Sequence, residues 1–287
     1  MTPSSAGGKR KSHVRLERPE PSILRIVLDR PDKRNAQGPR MLYELNAAFD
    51  TAAQDDAVKV VILAASGPHF SSGHDLSADW TTRDDHPTVG CWGGFAQPGA
   101  EGHMALEEEL YLGLCWRWRN LPKPTLAVTQ GKTIAGGLML AWSCDLIIAS
   151  SDATFADPVV AFGVNGHEFF VHTWELGARK AKELLFTGGT LTATEALSLG
   201  MVNRVVEPAE LDAEALAMAR RIARMPSIGL KLAKQAVNQS LDAQGQWTAI
   251  QSAFSLHQLG HSHNRELHGS LVDPAGAELI RELSRHP

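Results

Sequence analysis

The stretch Gly131-Lys-Thr-Ile-Ala-Gly-Gly-Leu-Met-Leu-Ala-Trp-Ser-Cys-Asp145 decides how the rest of the chain is read. Residues 125–129 before it read as a strand, and two adjacent glycines then open an apolar helix. Such a turn leaves the first N–H groups of the helix without intrahelical partners, at the positive end of its dipole. An anion or a polarised carbonyl oxygen fits there. Phe70-Ser-Ser-Gly-His-Asp-Leu76 can add a loop N–H from a second segment. Two such donors suit an oxygen that gains negative charge during a reaction, because fixed dipoles aimed at it stabilise the transition state more than the ground state.

Working outward, residues 58–64 form a near-continuous β-branched and apolar run, the pattern of a strand covered on both faces, and residues 146–149 repeat it. Residues 23–28 read as a further strand. The polar turn over 29–35 feeds a helix over 39–53 that buries Leu42, Leu45 and Phe49 at helical spacing. A helix between two such strands favours an α/β sheet with crossover connections. From 77 to about 104, Asp, Thr, Gly and Pro dominate, and a loop of that length in a compact domain reads as a lid. A helix follows over 105–119, with Glu107-Glu-Glu109 in its first turn, where acids suit the dipole. Beyond a strand at 202–206 the chain reads as helical, over 211–224, 228–240 and 246–259. The expected organisation is a disordered tail over 1–12, an α/β core over 13–206 with its lid near 77–104, and a helical region over 207–287.

With 287 residues, 43% hydrophobic and 21% charged, the chain can bury a sizeable core as one large domain with an appendage. A net charge of −4 and a pI near 6.3 give no broad basic face for nucleic acid. Cys91, Cys115 and Cys144 are odd in number and widely spaced, which fits reduced thiols better than a disulfide framework. No apolar run approaches the roughly 20 residues of a membrane span. The small, basic N-terminal segment lacks a hydrophobic signal core. The expected location is the cytoplasm, without a membrane partner.

Four ordered blocks then carry a family likeness: Leu28-Asp-Arg-Pro-Asp-Lys-Arg-Asn-Ala36, Phe70-Ser-Ser-Gly-His-Asp-Leu76, the glycine-pair block, and Leu184-Leu-Phe-Thr-Gly188 with residues 193–206. In order and spacing they resemble the enoyl-CoA hydratase/isomerase, or crotonase, family over about residues 14–255. The resemblance implies an α/β spiral of repeated ββα units. It also implies a C-terminal helical region that trimerises, giving a homotrimer or a dimer of trimers. Its substrates would be acyl-CoA thioesters, with coenzyme A as part of the substrate and no separate cofactor. Carried over position by position, the two N–H donors belong to His74 and Gly136. Only the backbone of His74 is needed, and its imidazole reads as that of an exposed loop residue. The resemblance sets the CoA phosphates near Lys33 and Arg34, and Asp75 caps its turn or helps seat the adenine loop.

Hydratases of the family use two glutamates, one to orient and deprotonate a water and one to deliver a proton to carbon. Counting along this chain puts Met139 and Val159 in those places, and neither can exchange a proton. Met139 lies one helical turn from Gly136, so its thioether is expected to face the thioester, or else to pack in the core. Eight residues beyond Val159 the count gives His167, followed by Glu168. One of them is the expected acid/base group, a histidine of near-neutral pKa being a competent base, against a purely structural role for both. Asp157, before Pro158, reads as a turn cap rather than a displaced carboxylate. One base favours isomerisation over hydration, and the alternative is a non-catalytic acyl-CoA-binding protein. Trp92, Trp116 and Trp118 either restrict acyl size or simply pack.

Several lookalikes fail. His167 and His172 are five residues apart, not the four of a zincin helix. Gly131-Lys-Thr133 is the tail of a phosphate loop without its first glycine. His257, His261, His263 and His268 have no Cys or carboxylate partner at ligand spacing, so no metal site is expected.

Overall fold

β1 (Val14–Glu20) and β2 (Ile23–Leu28) form an antiparallel pair. The chain crosses through α1 (Pro39–Gln54) to β3 (Val60–Ala65), which lies parallel to β2 with Ile23 opposite Val60. This is a computed structural model, and it describes residues 11–283, so most of the tail expected over 1–12 lies outside the described residues. A second crossover carries α2 (Ala100–Glu107), a π-helical turn at Glu108–Gly113 and α3 (Leu114–Arg119) before β4 (Thr125–Thr129). Then follow β5 (Lys132–Ile134), α4 (Gly136–Trp142), β6 (Leu146–Ser150) and β7 (Thr154–Ala156). α5 (His172–Thr187), broken at Gly177, leads to β8 (Thr190–Thr192), α6 (Ala193–Ser198) and β9 (Arg204–Val206). The last described elements are α7 (Leu211–Ala223), α8 (Ser227–Ala243), α9 (Gln246–His268) and α10 (Gly276–Leu283).

The main sheet runs β1-β2-β3-β4-β6-β9 and is parallel after its first pair; a small sheet runs β5-β7-β8. Alternate residues of the central strands serve different cores, which is why those strands read as unbroken apolar runs. Leu24, Ile26, Val61, Leu63, Ala127 and Ile147 enter the larger cluster, with Leu42, Leu45 and Phe49 of α1 and Leu138 to Ala141 of α4. Ile23, Val60, Ile62, Leu126, Val128 and Ile148 face the other way, against Leu211, Ala215 and Ala219 of α7. The helical region thus begins by covering the second face of the sheet.

Two helices and three short strands differ from the sequence expectation. The helix placed over 105–119 starts at Ala100 and contains the π-helical turn, so Glu107, Glu108 and Glu109 are not in a first turn at all. All three are buried. Dipole complementarity therefore does not explain them. α9 runs on to His268 instead of ending near Leu259, because its inward stripe changes from Ile250, Ala253 and Phe254 to His257, His261 and Asn264 without losing helical spacing. The three-residue strands β5, β7 and β8 are too short for a pattern signal. No helix among the described residues is long and apolar enough to cross a membrane.

Candidate active site

The glycine pair sits where β5 hands over to α4. Ala135 there takes φ 46°, ψ −108°, a conformation a side chain disfavours by roughly 1–3 kcal/mol. The surrounding packing holds it: Ala135 donates its N–H to Ala156 O at 2.9 Å, and Ile134 donates to Ser71 O at 3.0 Å. Close approach sets the glycines. A Cβ on Gly137 would stand 2.7 Å from Ser71 O, and one on Gly73, at φ +89°, would stand 2.9 Å from Ile134 O. The two loops are thereby pressed together. Among the described residues the amide N–H groups of His74 and Gly136 have no hydrogen-bond acceptor, whereas those of Gly73 and Asp75 are both engaged.

Beside this turn opens a cavity of about 740 Å³. Its inner wall is polar and buried. The His74 ring lies against Gly136, 3.9 Å centroid to centroid from Tyr111, and its Nε2 is 3.2 Å from Glu168 Oε2. The expectation of an exposed His74 side chain is thus corrected: only 16% of it is exposed, because Glu168 and Tyr111 draw the ring inward. Burial alone would lower the His74 pKa, but the Glu168 carboxylate outweighs it and raises it. In turn, burial would raise Glu168, and the His74 contact outweighs that, so Glu168 stays below the usual carboxylate range.

A second carboxylate shares the wall. Glu107 Oε1 lies 3.1 Å from His103 Nε2 and 3.3 Å from His261 Nε2, and Gln258 Nε2 donates to its Oε2 at 2.5 Å. These contacts outweigh a burial effect of opposite sign and hold the Glu107 pKa well below the ordinary value. Sequence reading missed Glu107, His103, Tyr111, His257 and His261 as site residues. The available signals were the i,i+4 spacings His103/Glu107 and His257/His261, obscured by helix ends placed too late and too early.

His167 also lines the cavity, yet neither ring nitrogen has a partner among the described residues. Burial, then the neighbouring His172, lowers its pKa to about 3. A near-neutral base at His167 is therefore corrected: this imidazole stays unprotonated and is weakly basic. Asp157 is corrected as well. Its carboxylate is fully buried and does not cap the turn; it accepts from His172 Nε2 at 2.8 Å and His167 N at 2.9 Å. Met139 is fully buried in the larger core and does not line the cavity, so its thioether does not face a thioester there. Val159 does line the cavity.

At the cavity mouth stand Arg34, His69, Lys132 and Arg281. Lys33 is exposed and outside the lining, whereas Arg34 borders it from a turn held by Asn35, whose side chain accepts from Arg30 N and donates to Ser66 O and His69 O. Asp75 serves its own turn: it accepts from Ser77 N at 2.9 Å and pairs with Arg30 at 2.6 Å. The tryptophans are packing and surface residues. Trp116 stacks on Trp247, Trp118 donates to Asn46, Trp92 is exposed, and none lines the cavity.

A mostly parallel sheet with a glycine-pair turn beside a large cavity defines an α/β protein of the crotonase fold. The chain belongs to the enoyl-CoA hydratase/isomerase family, whose model matches residues 18–270. EchA13 of Mycobacterium tuberculosis is 47% identical over 254 residues, 86% of this chain and 80% of that protein. The crystal structure of a "probable enoyl-CoA hydratase" from Mycobacterium smegmatis is 48% identical and covers 91% of this chain and 99% of its own, with a TM-score of 0.83. A monofunctional enoyl-CoA isomerase from the same genus and species is 26% identical, over 81% of this chain and 95% of its own, with a TM-score of 0.65. Family members act on acyl-CoA thioesters, and the fold is the crotonase fold.

Proposed function

We propose that this chain moves a proton on an acyl-CoA thioester by isomerase-type enolate chemistry. The Glu168 carboxylate takes a proton from the carbon beside the carbonyl, and the C–H electron pair moves onto the carbonyl oxygen. The N–H groups of His74 and Gly136 hold the resulting enolate, where loss of one such donor typically costs roughly 3–4 kcal/mol. Return of that proton to a carbon further along the conjugated system shifts the double bond. The observation that carries this reading is the Glu168 carboxylate lining the cavity and joined to the imidazole that covers Gly136. Arg34, Lys132 and Arg281 at the mouth would meet the CoA phosphates, in place of the Lys33 expected from the sequence.

The decisive experiment follows deuterium uptake from D2O into a panel of acyl- and enoyl-CoA esters by mass spectrometry. Wild-type exchange that collapses in Glu168→Gln supports the reading; exchange untouched by that change sinks it. Met139 and Val159 favour one other reading, an acyl-CoA binder without turnover, which predicts ester binding and no exchange with any member of the panel. We also propose self-association into trimers through the C-terminal helices, supported by exposed Ile228, Leu232 and Val237 on α8 and Leu256, Leu259 and Leu267 on α9. Sedimentation of the full chain as a monomer at micromolar concentration would contradict it.

A further inference from the structure

Two histidines of α9 pose a problem of hydrogen bookkeeping. His257 Nδ1 lies 2.8 Å from Gly166 O, and His261 Nδ1 lies 2.6 Å from Leu271 O. A carbonyl oxygen only accepts, so both Nδ1 atoms carry the proton. In the neutral rings both Nε2 atoms then present lone pairs. Yet these two atoms face each other at 2.9 Å. The groups that face them among the described residues are acceptors too: Glu107 Oε1 is 3.3 Å from His261 Nε2, and Glu107 Oε2 and Glu168 Oε1 are 3.8 and 3.6 Å from His257 Nε2. His103 Nε2 adds another ring nitrogen 3.1 Å from Glu107 Oε1, in a direction that makes no hydrogen bond. Protonating both α9 rings at Nε2 would aim two N–H groups at each other, and a proton on one ring alone would join the two Nε2 atoms but leave Glu107 Oε1 and His103 Nε2 without a donor between them. Lone pairs that converge like this call for a cation among them.

We propose that His257, His261 and Glu107, with His103 closing the set, bind one divalent first-row transition ion such as Zn2+. The spacings fit. Metal–ligand bonds of about 2.0–2.1 Å set ligand–ligand edges of about 2.9 Å in an octahedron and about 3.4 Å in a tetrahedron, and three of the contacts run 2.9, 3.1 and 3.3 Å. His103, Glu107 and His261 offer ligand atoms that all lie within 4.8 Å of one another, as do Glu107, Glu168 and His257. Imidazole with one carboxylate selects Zn2+, Co2+, Ni2+ or Fe2+ over Ca2+ and Mg2+, which prefer oxygen shells.

The outer layer has the form such sites take, in which the ring nitrogen turned away from the ion donates to a backbone carbonyl and the carboxylate is itself hydrogen-bonded. Gly166 O, Leu271 O and Gln258 Nε2 fill those parts. Helix geometry supplies the pairs, since His103/Glu107 on α2 and His257/His261 on α9 are each four residues apart and so share a face. The sequence offered no carboxylate at ligand spacing from His257 and His261 because Glu107 arrives from another helix. The other buried trio, Asp157, His167 and His172, lacks this feature, for His172 Nε2 already bridges to Asp157.

The test uses the full chain, stripped with a chelator and titrated with Co2+ and then Zn2+ in the absence of any thioester, so it is independent of the proposed reaction. The expected result is one ion per chain, visible Co2+ d–d bands displaced by Zn2+, and affinity at least about tenfold weaker in Glu107→Gln and in the double variant His257→Gln/His261→Gln. His263→Gln/His268→Gln, which changes exposed histidines of the same helix, is expected to bind as wild type. Absence of uptake at millimolar metal overturns the proposal, as does uptake that survives the His257/His261 change or disappears with the His263/His268 change. Should the buried variants fail to fold, anomalous diffraction from Zn2+-soaked wild-type crystals decides: a peak among these four side chains supports the site, and a peak elsewhere or none refutes it.

Discussion

Glu168→Gln separates the proposed base from everything else the residue does. The side chain is 5% exposed and Gln has its shape, so the cavity wall is kept. The amide oxygen can still accept from His74 Nε2, 3.2 Å away. Replacing a charge-assisted hydrogen bond by a neutral one is worth about 1–1.5 kcal/mol, which sets the scale of the stability loss. Removing a general base costs about 10²–10⁴ in rate, or about 2.7–5.4 kcal/mol at 1.36 kcal/mol per tenfold. The two effects differ enough to be read apart. Deuterium incorporation beside the thioester, followed by mass spectrometry at saturating ester, gives the rate; urea unfolding gives the stability. His167→Gln runs in parallel and is expected to slow exchange by less than about tenfold, because an imidazole held at a pKa near 3 is a weak base at neutral pH. Exchange within fivefold of wild type in Glu168→Gln, or a collapse in His167→Gln alone, would refute the assignment.

His167 also makes acid stability measurable. Its folded pKa, about 3, lies below the unfolded value near 6.5, so its contribution is complete above pH 6.5 and is lost as pH falls toward 3. His167→Gln, with His172, Asp157, Glu168 and His74 left around it, should flatten the fall of unfolding free energy between pH 6.5 and 4; an unchanged slope counts against a buried neutral imidazole. In Gly136→Ala the new Cβ would stand 3.0 Å from Gln37 Oε1 and 3.1 Å from His74 Nε2, so both side chains must shift by a few tenths of an ångström. Turnover should drop about tenfold or more while the melting temperature moves little, alanine being the better helix former; full activity would mean that the amide of Gly136 is not a donor to substrate. Lys132→Ala should raise KM for a CoA ester about threefold to fivefold, the worth of one exposed ion pair, and Lys33→Ala should leave it unchanged; the reverse pattern would restore the phosphate contact to Lys33.

What could be read from the sequence was whatever a single segment enforces by itself. The Gly136-Gly137 turn was legible because Ser71 O leaves no room for a side chain at Gly137, and no other residue type fits. The central strands were legible because both of their faces are buried. Residues whose role depends on a partner distant in sequence were not. Glu107 reads as a helix-start acid until His261, 154 positions later, is found 3.3 Å away. His167 reads as a neutral-range base until its burial against His172 is known. For Met139 the helical count left two readings, facing the thioester or packing in the core, and the core is where it lies, because the count fixes a direction along α4 and not which side of that helix meets the cavity.

The two buried glutamates are not equivalent, and their difference bears on the reaction. Glu107 has both oxygens hemmed in, Oε1 by the ring nitrogens of His103 and His261 at 3.1 and 3.3 Å and Oε2 by the Gln258 amide that donates to it. Glu168 has only Oε2 engaged, by His74; its Oε1 accepts no hydrogen bond among the described residues and stands 3.6 Å from His257. Hydration by two carboxylates asks for two such uncommitted oxygens, one to activate water and one to protonate carbon. A proton that leaves one carbon and returns to another asks for one. With Glu107 committed to α2 and α9, the lining favours transfer through Glu168 alone.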